Sequence, residues 1–313
     1  MQRTLLAFTL AVLTSCATIP PTVSQHRSHL KQLEDDGLTM AYLDEGPREA
    51  EAIVLLHGLP TSSYLYRDIV PVLTAAGYRV IAPDLIGFGA SSKPTDASAF
   101  ALEAQARRVT ALLEVLHVTS FTLVVHDLGG PIGWELLDDH PERVARLMVL
   151  NTTAYEPFNP PSEMKMLGGA MGEMMSGMMA GSAFGPGAVA SFVRSFTATP
   201  GAITDDEAKA YWWPLHEGGT EPMVWMAQRF DTFKARFPRY QQALRKFTGP
   251  ASLVWGAHDP VLSFDALSPQ FAKDLRIPPE RVRKLADASH FVQEDAADQV
   301  SAAIVELMHL AAR

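Results

Sequence analysis

The chain predicts an α/β fold: a mostly parallel sheet covered by helices on both faces, with a helical cap inserted late in the sequence. Three observations lead there. Short apolar runs alternate with amphipathic stretches along most of the 313 residues. The runs are continuous rather than alternating, which suits strands buried on both faces of a parallel sheet. The alternation then stops between residues 153 and 249, where no stretch reads as a buried strand.

Taken in order, residues 39–44 alternate, with Met40 and Tyr42 on one face, and form an early strand. Residues 52–56 (AIVLL) are the next strand and lead into His57-Gly58. Residues 63–76 have helical spacing, with Tyr64, Ile69, Val70 and Leu73 on one face and Gly77 as terminator. Strands at 78–82 and 121–125 flank a long amphipathic helix over 98–117, for which Ser98 is the expected N-cap. A helix over 131–139 and a strand over 146–150 follow. The crossovers are long enough for βαβ units. In the inserted stretch, 205–213 and 239–247 look helical, and a Met/Gly/Ala-rich run from Met164 to Gly187 either lines a substrate tunnel or packs on the core. The sheet resumes at 251–255, with a helix over 264–275, a short strand over 282–285 and a closing helix over 296–310.

The N-terminus reads as an address. Arg3 precedes an apolar run from Leu5 to Leu13, too short to span a bilayer, which takes roughly 20 residues. Its end, Leu13-Thr14-Ser15-Cys16, resembles the bacterial lipobox, in which the cysteine is lipidated and becomes the mature N-terminus. Cys16 is the only cysteine, so no intramolecular disulfide forms. The expected organisation is a lipoprotein signal peptide over 1–16, a tether over 17–35 that is poorly ordered to about Leu33, a core over 36–152 and 250–313, and a cap over 153–249. A lipid anchor on a membrane of the bacterial cell envelope follows, or else a periplasmic or secreted location.

Composition removes several classes. At 47% hydrophobic and 19% charged the chain is globular. A net charge of −9 leaves no basic footprint for nucleic acid. No Cys/His cluster has zinc-ligand spacing, and neither a phosphate-binding loop nor a strand-linked dinucleotide motif occurs, so neither a metal nor another cofactor is expected.

The chemistry gathers at strand ends. Val125-His126-Asp127-Leu128-Gly129-Gly130 follows a buried strand and opens a helix, the setting of a nucleophile elbow. Where other elbows carry serine, this one carries Asp127. A carboxylate there attacks an sp³ carbon and gives an alkyl-enzyme ester. Val125 departs from the usual glycine before the nucleophile. His57-Gly58-Leu59-Pro60 follows the third strand, so the backbone N–H groups of Leu59 and Leu128 are the expected oxyanion hole. Asp259 follows the seventh strand and His290 the eighth. The order nucleophile, acid, base gives a histidine that deprotonates water and a carboxylate that fixes its tautomer. Asn151, after the sixth strand, occupies the other place for an acid but is none.

With these residues the chain resembles the haloalkane dehalogenases, within the wider group that includes epoxide hydrolases. The carriers are His57 to Arg67 (HGLPTSSYLYR), Ala82 to Gly89 (APDLIGFG), the elbow at Asp127, and Leu285 to Glu294 (LADASHFVQE). The likeness runs from about Leu38 to the C-terminus and is loose in the cap. It implies the α/β-hydrolase fold with eight strands, and hydrolysis of a carbon–halogen bond in a small apolar organic substrate by water. Two departures matter. These dehalogenases usually carry tryptophan after the nucleophile to hold the leaving halide, and Leu128 stands here. Many carry Asn or Glu at the position of Leu59. Epoxide hydrolysis is the runner-up. It needs an acid, usually cap tyrosines, and Tyr155, Tyr211 and Tyr240 are available. Trp212, Trp213 and Trp225 are the indoles a cap pocket would draw on. A third reading, from another class, is a non-catalytic ligand-binding lipoprotein, which has no use for an intact triad.

Overall fold

The computed structural model describes residues 18–158 and 185–312. Cys16 and residues 164–184 of the methionine-rich run lie outside the described residues.

Eight strands form one sheet: β1 (Lys31–Asp35), β2 (Leu38–Glu45), β3 (Ala52–Leu56), β4 (Arg79–Pro83), β5 (Phe121–Asp127), β6 (Val144–Thr152), β7 (Ala251–Gly256) and β8 (Val282–Leu285). Their spatial order is β1-β2-β4-β3-β5-β6-β7-β8. β2 runs antiparallel to β1 and β4, and every pairing from β4 onward is parallel. The continuous runs sit where expected: every residue of β3, β4, β6 and β7 is buried.

Helices α2 (Val70–Ala75) and α12 (Ala297–Met308) form one covering layer. Helices α3 (Leu102–Val115), α4 (Gly129–Asp139) and α10 (Phe264–Asp274) belong to the other. Between β6 and β7 the described residues hold only helices: α5 (Pro186–Arg194), α6 (Asp205–Pro214), α7 (Thr220–Ala227), α8 (Phe230–Ala235) and α9 (Phe237–Lys246).

Three expectations need correction. The tether does not begin as loose chain. Residues 21–28 form helix α1 (Pro21–Ser28), with proline at its first turn and Val23 buried, and Lys31–Asp35 is an edge strand on β2. Polar KQLED hides that strand, because an edge strand buries little of itself. The helix expected over 63–76 is broken into a 3₁₀ turn, Ser63–Tyr66, and α2. Ser98 is not an N-cap. Asp96 accepts its N–H and caps a 3₁₀ turn that precedes α3.

Ion pairs moor the cap helices to the core. The buried Glu135 of α4 accepts from Tyr240 Oη at 2.6 Å and from Arg236 at 3.0 Å, with Arg239 at 3.3 Å. Arg67 pairs at once with Glu294 of the core at 2.6 Å and Glu207 of α6 at 3.0 Å. Among the described residues no helix is long and apolar enough to cross a membrane.

Candidate active site

The elbow at the end of β5 explains its own sequence. Asp127 has φ 49°, a left-handed conformation that costs a non-glycine residue about 1–3 kcal/mol and gathers at functional turns. Thr152 Oγ1 donates to Asp127 O at 2.6 Å and pins the turn. Close approach dictates the glycines. A Cβ on Gly130 would lie 1.8 Å from Thr152 Oγ1, one on Gly129 2.3 Å from Leu56 O, and one on Gly58 2.3 Å from Asp127 Oδ1. The departure at Val125 is accommodated elsewhere: a Cβ on Gly133 would fall 2.6 Å from Val125 Cγ1, so Gly133 makes the room.

Three loops converge on Asp127. From the β3 loop, Leu59 N–H donates to Asp127 Oδ1 at 2.7 Å. His57, fully buried, shapes that loop. Leu85 N–H donates to His57 Nε2 at 3.0 Å, so the proton sits on Nδ1 and is given to Gly58 O at 2.9 Å. Leu128 caps the N-terminus of α4, where the first N–H groups have no partner within the helix. From the loop after β8, His290 Nε2 stands 3.5 Å from Asp127 Oδ2. Its Nδ1 lies 2.8 Å from Asp259 Oδ2. Asp259, in the loop after β7, is itself tightly held. Oδ1 accepts from the N–H of Val261 at 2.8 Å and of Leu262 at 2.9 Å, and Oδ2 accepts from Asn151 Nδ2 at 2.7 Å. Asn151 Oδ1 in turn accepts Gly256 N–H at 3.1 Å. Asn151, which lies within β6 rather than after it, is therefore a support for the acid after β7.

The charges reinforce one another. Burial alone would raise the Asp127 carboxyl, but the hydrogen bond and charge of His290, with the Leu59 N–H, outweigh it and hold Asp127 at about 2. Burial would lower His290, but Asp259 and Asp127 on either side raise it to about 10. Asp259 is likewise held below its ordinary value, against burial, by His290 and Asn151. The resting site is an imidazolium between two carboxylates.

A cavity of about 40 Å³ opens at the elbow. Leu59, Pro60, Phe192, Phe196, Met223, Val261 and Phe291 line it around Asp127 and His290. Leu59 is thus on the cavity wall, whereas Leu128 is not among these lining residues. The cap aromatics expected there are elsewhere. Tyr155 donates to Asp274 at 3.0 Å, Tyr211 to Glu294, and Tyr240 to Glu135. Trp213 donates to Glu217 at 2.7 Å, Trp212 stacks on His216, and Trp225 lies against Phe100 under the Arg229 guanidinium. For the buried Tyr155, Tyr211, Tyr240 and Trp213 burial explains this, because a tyrosine or indole taken out of water must find a partner for its polar tip. Residues 192, 196, 223 and 261, which do line the cavity, carried no signal in the sequence. Phe291, next to His290, could have been inferred from adjacency. Among the described residues no group of His, Cys, Asp and Glu could hold a metal ion.

Known proteins share this frame. A family model for the alpha/beta hydrolase fold matches residues 51–297. A haloalkane dehalogenase of Psychrobacter cryohalolentis is 30% identical over 278 residues, covering 88% of this chain and 89% of that protein. One of Mycolicibacterium paratuberculosis is 34% identical over 272 residues, covering 86% and 87%. A cis-3-alkyl-4-alkyloxetan-2-one decarboxylase of Xanthomonas campestris is 33% identical over 279 residues, covering 83% and 88%. Among solved structures, the haloalkane dehalogenase DpaA of Paraglaciecola agarilytica NO2 superposes with a TM-score of 0.71 at 29% identity, covering 90% of this chain and 93% of that one. The epoxide hydrolase CorEH shares the fold, with a TM-score of 0.70 at 22% identity over 89% and 98% of the two chains.

Proposed function

Since the chain belongs to the α/β-hydrolase fold family and is a haloalkane dehalogenase-like enzyme within it, we propose that Asp127 is its nucleophile and that it cleaves an alkyl substrate through an enzyme-bound ester. The observation that carries this reading is a carboxylate on a strained elbow, faced by His290 with Asp259 behind it. Leu59 N–H holds Oδ1, so Oδ1 becomes the ester carbonyl and Oδ2 forms the bond to carbon. With a haloalkane, Oδ2 attacks the carbon and halide departs with the bonding pair. Esterification removes one of the two carboxylate charges that keep His290 protonated, so its proton passes to solvent. Neutral His290 then takes a proton from water as the oxygen adds to Cγ of Asp127. The oxyanion on Oδ1 is held by Leu59 N–H and Leu128 N–H. Collapse frees the alcohol and restores the carboxylate.

Epoxide opening is the weaker reading. It needs an acid at the leaving oxygen, and the three cap tyrosines spend their hydroxyls on carboxylates. A second reading is favoured by the cavity wall. Its described residues offer no side-chain donor besides His290, which suits a leaving group that carries its own charge well. A strained oxetan-2-one, the substrate named for the Xanthomonas relative, is one: attack at C4 frees a carboxylate. Loss of CO₂ from that intermediate would expel Asp127 and leave an alkene. The test is His290→Gln mixed with 1-bromohexane, with 1-chlorohexane and with a dialkyl-oxetan-2-one, read by intact mass and peptide mapping. An ester on Asp127 is expected. Full turnover by Asp127→Asn would overturn the nucleophile. Wild-type products, whether halide with alcohol or alkene with CO₂, separate the two readings.

A further inference from the structure

The residue before the nucleophile is a histidine with its own task. His126 is fully buried in β5, and its Nε2 lies 2.9 Å from the backbone carbonyl of His290. A carbonyl only accepts, so Nε2 carries the proton. Its Nδ1 is buried and has no hydrogen-bond partner among the described residues. The ring sits 4.9 Å from the His290 ring, inclined at 53°, and 5.9 Å from that of Phe291. The nucleophile strand therefore holds the loop of the base directly, at the base residue itself.

We infer that His126 is a positioning residue for His290: its Nε2–H, given to the His290 carbonyl, sets the reach of the His290 ring over the Asp127 ester. This rests on the reading of Asp127 as nucleophile and His290 as base. The geometry fits one neutral tautomer only. A second proton on Nδ1 would face no acceptor and would stand beside the His290 cation. Burial first, and that cation second, accordingly drop His126 to about 4. A neutral donor leaves the charge balance of Asp127, His290 and Asp259 undisturbed.

The two chemical steps depend on His126 differently. Alkylation needs an ionised, oriented Asp127: Leu59 N–H and Thr152 orient it, and the His290 charge that keeps it ionised still acts after a small shift of the ring. Hydrolysis needs the His290 ring within proton-transfer reach of the ester, so it feels a loosened base loop far more. The experiment follows single turnover of 1-bromohexane by rapid quench and intact mass in wild type and in His126→Leu, His126→Met and His126→Gln. Glutamine Nε2 is as many bonds from Cα as histidine Nε2, so it restores the donor. In the Leu and Met variants ester formation should stay within about threefold of wild type, while ester decay slows at least about tenfold, the scale of one lost buried hydrogen bond. The Gln variant should return decay to within about threefold. Should Leu fail to fold, Met fills the site without a branch and carries the comparison. Unchanged decay, equal slowing of both steps, or no rescue by Gln overturns the inference. His290→Gln is run alongside. No ester there overturns the nucleophile reading and this inference with it, whereas an ester there with unchanged decay in the His126 variants overturns this inference alone.

Discussion

Asp259→Asn should stop the enzyme at the ester. Asp259 uses both oxygens twice: Oδ1 for the backbone N–H groups of Val261 and Leu262, Oδ2 for Asn151 and His290. An asparagine has one oxygen to offer. With its NH₂ on the Oδ1 side, two backbone donors lose their acceptor, at about 1–3 kcal/mol each. With its NH₂ on the Oδ2 side, Asn151 loses its acceptor, and it cannot flip without abandoning Gly256 N–H. The cheaper answer for His290 is to change tautomer, so that Nδ1 accepts from the new NH₂ and the proton moves to Nε2. That nitrogen then faces the ester as a donor and cannot take a proton from water. Losing the carboxylate charge also removes its support for the imidazolium formed in hydrolysis. A Ser-His-Asp triad loses about 10⁴ in rate by the same change, and about 10³–10⁴ is expected here for ester decay. Alkylation, which does not use His290 as base, should stay within about tenfold. Rapid quench with 1-bromohexane and intact mass reads both steps. Ester decay within tenfold of wild type would refute the assignment of Asp259.

Three further outcomes are expected. Leu59→Asn puts a donor on the cavity wall beside Asp127. One hydrogen bond to a departing anion is worth about 1.5–3 kcal/mol, so bromide release from 1-bromohexane should rise at least about tenfold, and no rise would show that the cap already supplies the donor. His290, raised from 6.5 to about 10, gains its stabilisation from the charged form. That contribution is whole below pH 6.5 and is lost as pH climbs toward about 10. Removing one flanking charge in Asp127→Asn should lower the His290 titration seen by histidine NMR, and an unmoved midpoint would contradict the coupling. Cys16→Ser should yield unprocessed or soluble protein, whereas wild type purified from the cytosol with Met1 intact would rule out the proposed envelope anchor.

The sheet was legible because burial on both faces forces continuous apolar runs, and AIVLL, FTLVV and ASLVW can be little else. The edge was not, since KQLED meets water on one side and its ladder is set by β2 rather than by its own side chains. The meeting of Asp127, Asp259 and His290 was legible for a related reason. Each member follows a strand of a parallel sheet, so strand order alone brings Asp127, Asp259 and His290 to one end. Asn151 was seen only as a missing acid, because its hydrogen bond to Asp259 depends on the end of β6 meeting the loop after β7 across 108 residues.

The cap marks the boundary of such reasoning. Its tyrosines and tryptophans were assigned to the pocket by residue type, yet Tyr240, Trp213, Tyr211 and Tyr155 found carboxylates, Glu135, Glu217, Glu294 and Asp274, and Trp212 and Trp225 pack on His216 and Phe100. The sequence did contain those acids, but nothing in it pairs Tyr240 with Glu135 across 105 positions. A helix inserted far from its contacts takes its facing from them, not from its periodicity. The same acids explain why the cavity wall is apolar. Polar tips that moor the cap to the core are not available to a substrate, which leaves Phe192, Phe196, Met223 and Phe291 around Asp127. Mooring and donor supply thus compete for one set of side chains. In this chain mooring has taken the three tyrosines, and among the described residues that line the cavity a leaving group meets no side-chain donor besides His290.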